Sequence, residues 1–137
     1  FALMAAKVGC KRNPMSAALR GAYCAPYDTP SNRIATLRFV QDIPLQPGDK
    51  GYDLISEVEA GLERFAKLPM TICWGLKDFV FDKHFLKEWQ QRFPEAEVHS
   101  FADCGHYILE DAKDEVIPIV ERFLAANPLE EPAGKSQ

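Results

Sequence analysis

The chain has 137 residues, 47% of them hydrophobic and 26% charged, which is the profile of one soluble globular domain. A formal net charge of −4 without any Lys/Arg run or basic stripe argues against a nucleic-acid partner. No apolar run approaches the ~18 residues of a membrane span, so no span is expected.

The opening "FALMAAKVGCKR" is apolar, but its charges follow the run, so it does not read as a secretory leader. The lack of an initiating methionine fits a chain cut from something longer. Cys10, Cys24, Cys73 and Cys104 form no CxxC pair, which predicts reduced thiols and a cytoplasmic setting. Cys104-Gly105-His106 offers zinc no second close pair of ligands, and neither a metal nor a cofactor is expected.

Residues 1–67 read as helices and turns. Asn13-Pro14 has the form of an N-cap followed by proline at the first helical position, predicting a helix through about Tyr23. Asp28 or Thr29 before Pro30 repeats the device, with Ile34, Leu37 and Phe39 or Val40 as apolar positions. "DIPLQPGDKG" is turn chemistry. Leu54, Ile55, Val58, Leu62 and Phe65 then fall on one face of an amphipathic helix, expected to face the core.

From residue 68 to 127 the pattern changes to strand–helix–strand–helix. "PMTICWG" reads as a buried strand closed by Gly75. Asp82 is placed to cap a helix that buries Phe85, Leu86, Trp89 and Phe93 and stops at Pro94. "AEVHSFA" is a second strand. The last helix carries Val116, Ile117, Val120, Phe123 and Leu124; Pro118 fits it only if the helix starts near Asp111–Asp114 and the proline falls near the first turn. Residues 128–137 are expected to be a flexible tail. Successive βα units make parallel neighbours, so the expected class is α/β.

Ligands bind outside the carboxyl ends of such strands, and two loops leave that edge: "GLKDFVFD" and "DCGHYILED". Adjacent strands would bring Asp78 to His106. A carboxylate on one imidazole nitrogen fixes the tautomer and leaves the other nitrogen to take a proton. Gly105 before His106 reads as the residue that lets the backbone turn sharply. Asp82 competes with Asp78 but is better used as a cap. His84 and His99 read as structural, and a Cys104 thiolate paired with His106 is disfavoured, since two residues on a turning backbone need not face each other.

"WGLKDFVF" and "FADCGHYILED" resemble the C-terminal triad segment of α/β-hydrolases in the haloalkane dehalogenase-like branch. "RGAYCAPYDTPSNRIATLRFVQDIPL" resembles the end of that branch's helical cap, in detail that of the bacterial olefin-biosynthesis β-lactone decarboxylases. The resemblance covers about residues 10–126. It implies the C-terminal portion of an α/β-hydrolase fold: a cap remnant and return helix over 1–67, then the last two βα units over 68–127. It also implies Asp78 as triad acid, His106 as general base, and a small apolar substrate, turned over by haloalkane hydrolysis or β-lactone decarboxylation.

The nucleophile such a fold needs is not in the chain. No G-x-S-x-G, G-x-D-x-G or G-x-C-x-G occurs, and Ser16, Ser31, Ser56 and Ser100 lack an elbow setting. The isolated chain is therefore expected to be inactive, and to associate with the missing N-terminal hydrolase segment or with itself. The competing expectation is a non-catalytic fragment or interaction module.

Overall fold

The structure, a computed structural model, describes residues 2–128, so the expected tail from residue 129 onward lies outside the described residues. Helix α1 (Ala2–Val8) buries Ala6 and leads into an irregular stretch at residues 9–16. Helix α2 (Ala17–Cys24) is capped by Ser16, whose hydroxyl accepts the Leu19 N–H at 3.1 Å. The expected start at Asn13-Pro14 is thus wrong. The backbone N–H groups of Lys11, Arg12 and Asn13 are committed to the distant Asp111 carboxylate, which holds this stretch out of a helix.

A 3-10 turn (Ala25–Tyr27) and a bend precede α3 (Ile34–Gln41), which begins four residues beyond the expected Pro30. Asp28 and Thr29 do cap something, but it is a turn. The Asp28 carboxylate accepts from the Asn32 side chain at 2.7 Å, and the Thr29 hydroxyl accepts the Asn32 N–H at 3.2 Å. Gly48 and Gly51, at φ +97° and +86°, supply the left-handed positions of the following turn.

Helix α4 (Tyr52–Gly61) continues as a 3-10 turn over Leu62–Phe65. Its apolar stripe was expected to face the core. It faces solvent instead, with Leu54 63%, Ile55 56%, Val58 55% and Phe65 47% exposed. Of the stripe only Leu62 is half-buried, in a groove it lines together with Phe93 beside the Glu59–Arg92 ion pair; Leu54, Ile55, Val58 and Phe65 stay uncovered among the described residues.

Strands β1 (Thr71–Gly75) and β2 (Glu97–Phe101) pair in parallel, with Thr71 opposite Glu97 and Gly75 opposite Phe101. With helices on the connection and after it, the architecture is α/β around a two-stranded parallel sheet. The strand expected to be buried, β1, is half-buried except at Gly75. Asp82 caps the crossover helix α5 (Lys83–Arg92) by accepting the His84 N–H at 2.8 Å. Leu86 and Phe93 are buried, Trp89 stacks on Phe93, and Phe85 is exposed, so half of the expected α5 face is used.

Helix α6 (Ile108–Ala126) breaks its helical geometry at Ala112 (φ −144°, ψ 33°) and resumes. That restart lies in the expected window, but Pro118 sits beyond the first turn that follows and removes an interior hydrogen bond. Of the five apolar residues expected to be buried there, Val116 is buried and Phe123 half-buried; Ile117, Val120 and Leu124 are exposed. Two cores result. Phe101, Cys104, Ala112 and Val116 pack with Cys73, Ile108 and Ile119; Ala6, Cys10 and Met15 pack with Leu19 and Tyr107. The β2–α6 loop lies between them and contributes a side chain to each.

Candidate active site

Beyond Gly75 the chain keeps following β2. The Leu76 N–H donates to the Phe101 carbonyl and the Lys77 N–H to the Cys104 carbonyl, both at 2.9 Å. Asp78 is therefore carried along the β2–α6 loop and meets His106. The imidazole Nδ1 lies 3.1 Å from Oδ1 and 3.0 Å from Oδ2 of Asp78. The Asp78 side chain is 10% exposed and that of His106 29%, so the carboxylate is sheltered while the ring keeps an open side.

Asp78 is fixed independently of the histidine. Its Oδ1 accepts the Val80 N–H at 2.7 Å and the Phe81 N–H at 3.1 Å, an Asx turn that closes the loop. Trp74 Nε1 donates to the Phe81 carbonyl at 3.0 Å and ties the same loop to β1. The rings of Phe79, Phe81 and Tyr107 lie 5.4–5.9 Å from the imidazole. The group can therefore present Nε2 as a proton acceptor or donor in apolar surroundings, with Nδ1 oriented by a carboxylate.

Gly105 does not serve a sharp left-handed turn, since its φ is not positive. It serves close packing. A Cβ there would stand 2.1 Å from the Gly9 carbonyl oxygen, and one on Gly75 would stand 2.4 Å from the Gly105 carbonyl oxygen. Backbones from three separate stretches meet at this point, and only glycines allow it.

The other candidates fall away from the pair. His99, in β2, has Nε2 2.9 Å from Glu97 Oε1 but off the line of a hydrogen bond. His84 is exposed at the start of α5. Cys104 is fully buried, its thiol pKa pushed up by that burial, so it stays protonated. Cys10 is similar: burial, helped by Asp111 and Glu110, pushes its thiol up to about 11. All four cysteines are free. Among the described residues no group of three His, Cys, Asp or Glu could hold a metal, and no helix is long and apolar enough to cross a membrane.

With this geometry in view, two relatives stand out. The chain is 60% identical over 124 residues to the cis-3-alkyl-4-alkyloxetan-2-one decarboxylase of Shewanella oneidensis, covering 90% of this chain and 39% of that protein. It is 46% identical over 129 residues to the protein of that name from Xanthomonas campestris pv. campestris, covering 94% and 43%. The chain is thus similar over most of its length to part of two proteins named as β-lactone decarboxylases. It spans about two-fifths of the length of these curated relatives. No family model matches the chain.

The residue beside the Asp78–His106 pair that the sequence does not reveal is Asp111. In the sequence it reads only as a possible helix start, yet it is 1% exposed. It accepts backbone N–H groups from Lys11, Arg12, Asn13 and Gly105 at 2.7–3.0 Å. Burial acts to raise its pKa, but the N–H groups of Asn13, Gly105, Lys11 and Arg12 outweigh it and hold the carboxyl below its ordinary value. A neighbouring ion pair does similar work at the surface. Arg12 binds Asp103 through both oxygens at 2.8 and 2.9 Å, and also pairs with Glu115. The signal available in the sequence was an acidic residue inside the apolar run "GHYILEDA", but nothing local says which amides it meets.

Proposed function

We propose that this chain is the C-terminal part of an α/β-hydrolase-fold β-lactone decarboxylase, with Asp78 as triad acid and His106 as the proton-transferring base. The observation that carries the reading is the contact of His106 Nδ1 with Asp78 Oδ2 at 3.0 Å at the carboxyl edge of two parallel strands. The names of these relatives favour decarboxylation over haloalkane hydrolysis. A β-lactone that opens and loses CO2 leaves an alkene and consumes no water, whereas a haloalkane needs one water per halide released.

On this reading residues 1–67 are the cap remnant with the return helix, and 68–127 are the last part of the hydrolase core. On the same reading the attacking group lies upstream of the residues described. That upstream segment would also cover the α4 stripe and the free strand edges; without it, a second copy of the chain is the expected occupant. An apolar groove of about 610 Å3 supports an alkyl-bearing substrate. Ala5, Leu19, Ala22, Tyr23, Pro26 and Tyr107 line it, and Tyr107 follows His106 directly.

The test is product analysis with the full-length protein and a cis-dialkyl β-lactone. Alkene and CO2 in equal amounts, with no halide released from a long-chain haloalkane, are expected. Formation of the β-hydroxy acid instead, or halide release with the lactone untouched, would overturn the reading.

A further inference from the structure

His106 is held by its neighbours in sequence as much as by Asp78. On one side, the Gly105 N–H donates to Asp111 Oδ2 at 2.7 Å. On the other, the Tyr107 N–H reaches the Gly9 carbonyl at 3.4 Å. Asp111 also holds the stretch that supplies that carbonyl. Its Oδ1 accepts from Arg12 and Asn13, its two oxygens share the Lys11 N–H, and its own carbonyl accepts the Asn13 side-chain amide at 2.6 Å. These contacts link stretches about 100 positions apart. A buried carboxylate is here the common acceptor for the loop that carries His106 and for the segment packed against it.

We infer that Asp111 is a positioning residue for His106, acting through the Gly105 amide and the 11–13 backbone to aim the imidazole at Asp78. The inference rests on the reading of Asp78 and His106 as a catalytic pair, but the geometry it invokes can be measured without turnover. The carboxylate matters because it accepts on two sides. In Asp111→Asn one oxygen remains. If it serves Gly105, the new NH2 faces the Arg12 and Asn13 donors; if it serves those, the NH2 faces Gly105. Either way the bridge between loop and segment is cut, and a buried donor is set against a donor.

The direct readout is the His106 Nδ1 proton, seen by NMR of the 15N-labelled full-length protein as a hydrogen-bonded imidazole resonance. Asp111→Asn is expected to broaden or abolish it. Phe123→Ala trims a half-buried side chain of the same helix that belongs to neither core, and is expected to leave it sharp. In turnover assays, Asp111→Asn should lower kcat by about 10²-fold with little change in KM, as expected when a base is misplaced but substrate contacts remain. A sharp His106 resonance in Asp111→Asn, or its loss in both variants, would overturn the inference. If Asp111→Asn does not fold, amide exchange of the unmutated protein decides. Gly105 should exchange slowly and in step with Arg12 and Asn13, and rapid exchange at Gly105 contradicts the proposal. A protein that never turns over a β-lactone refutes the proposed function, while the resonance and the amides still report on Asp111.

Discussion

Between Gly75 and Val116 the chain buries Leu86, Phe93, Phe101, Cys104, Ala112 and Val116, and it places one carboxylate, Asp111, out of solvent with every acceptor site used. Between Ser16 and Trp74 no residue is buried, although Phe39, Val40, Leu54, Ile55 and Val58 are as apolar as anything in the second region. Hydrophobicity alone therefore does not separate the two. What separates them is whether another stretch of chain comes back to pack on the apolar face. Residues 6–15 do so for the loop that carries His106, and nothing described does so for α3 and α4. Order at the candidate site is long-range, whereas α3 and α4 rest mainly on local backbone hydrogen bonds and turns, with no side-chain N-cap on either.

The largest expected effect within this contrast is on chemistry. Asp78→Asn should keep the Asx turn, because the amide oxygen can still accept from Val80 and Phe81, but it loses the carboxylate that orients imidazole Nδ1. A fall in kcat of about 10²–10⁴-fold is expected in the full-length protein, measured as alkene formed per unit time. A loss below tenfold would mean that the pair is a structural contact.

Stability separates the regions by sign. Gly105→Ala must push the Gly9 carbonyl away and should cost about 3 kcal/mol, whereas Gly21→Ala, in α2 with nothing near its new methyl, should gain about 0.5–1 kcal/mol. Urea denaturation of both variants checks this, and equal effects would erase the distinction. The acid response sharpens it further. Asp111 has its folded pKa depressed, so its contribution to stability is present above the unfolded carboxyl pKa of about 3.9 and is lost as pH falls from there through the folded value. Amides of residues 11–13 and 105 should lose protection in that window before those of α3 do. The smallest contrast is between two valines. Val116→Ala should cost about 2 kcal/mol and Val58→Ala less than about 0.5 kcal/mol beyond helix propensity, by thermal melting of this 137-residue chain at dilutions where it is monomeric and no second copy covers α4.

These contrasts also explain what could be read in the sequence. Both strands, the Asp82 cap and the approach of Asp78 to His106 follow from local pattern and from parallel pairing, and all were legible. The start of α2 was not. Asn13-Pro14 has the local form of a cap, but the Asn13 N–H is taken by the carboxylate of a residue 98 positions away and its side-chain amide by that residue's backbone carbonyl. Gly105 was read for turning when its use is close approach to Gly9, which only the folded backbone reveals. The α4 stripe has the right period for a core face, yet periodicity states that a partner is wanted, not that this stretch of chain supplies one.

The base role proposed for His106 is tested by turnover of a cis-dialkyl β-lactone by His106→Ala in the full-length protein. The ring is partly open to solvent, so the variant should fold and melt as the parent does. Alkene and CO2 production should fall by about 10²–10⁴-fold. Full turnover by a folded His106→Ala protein would rule that role out.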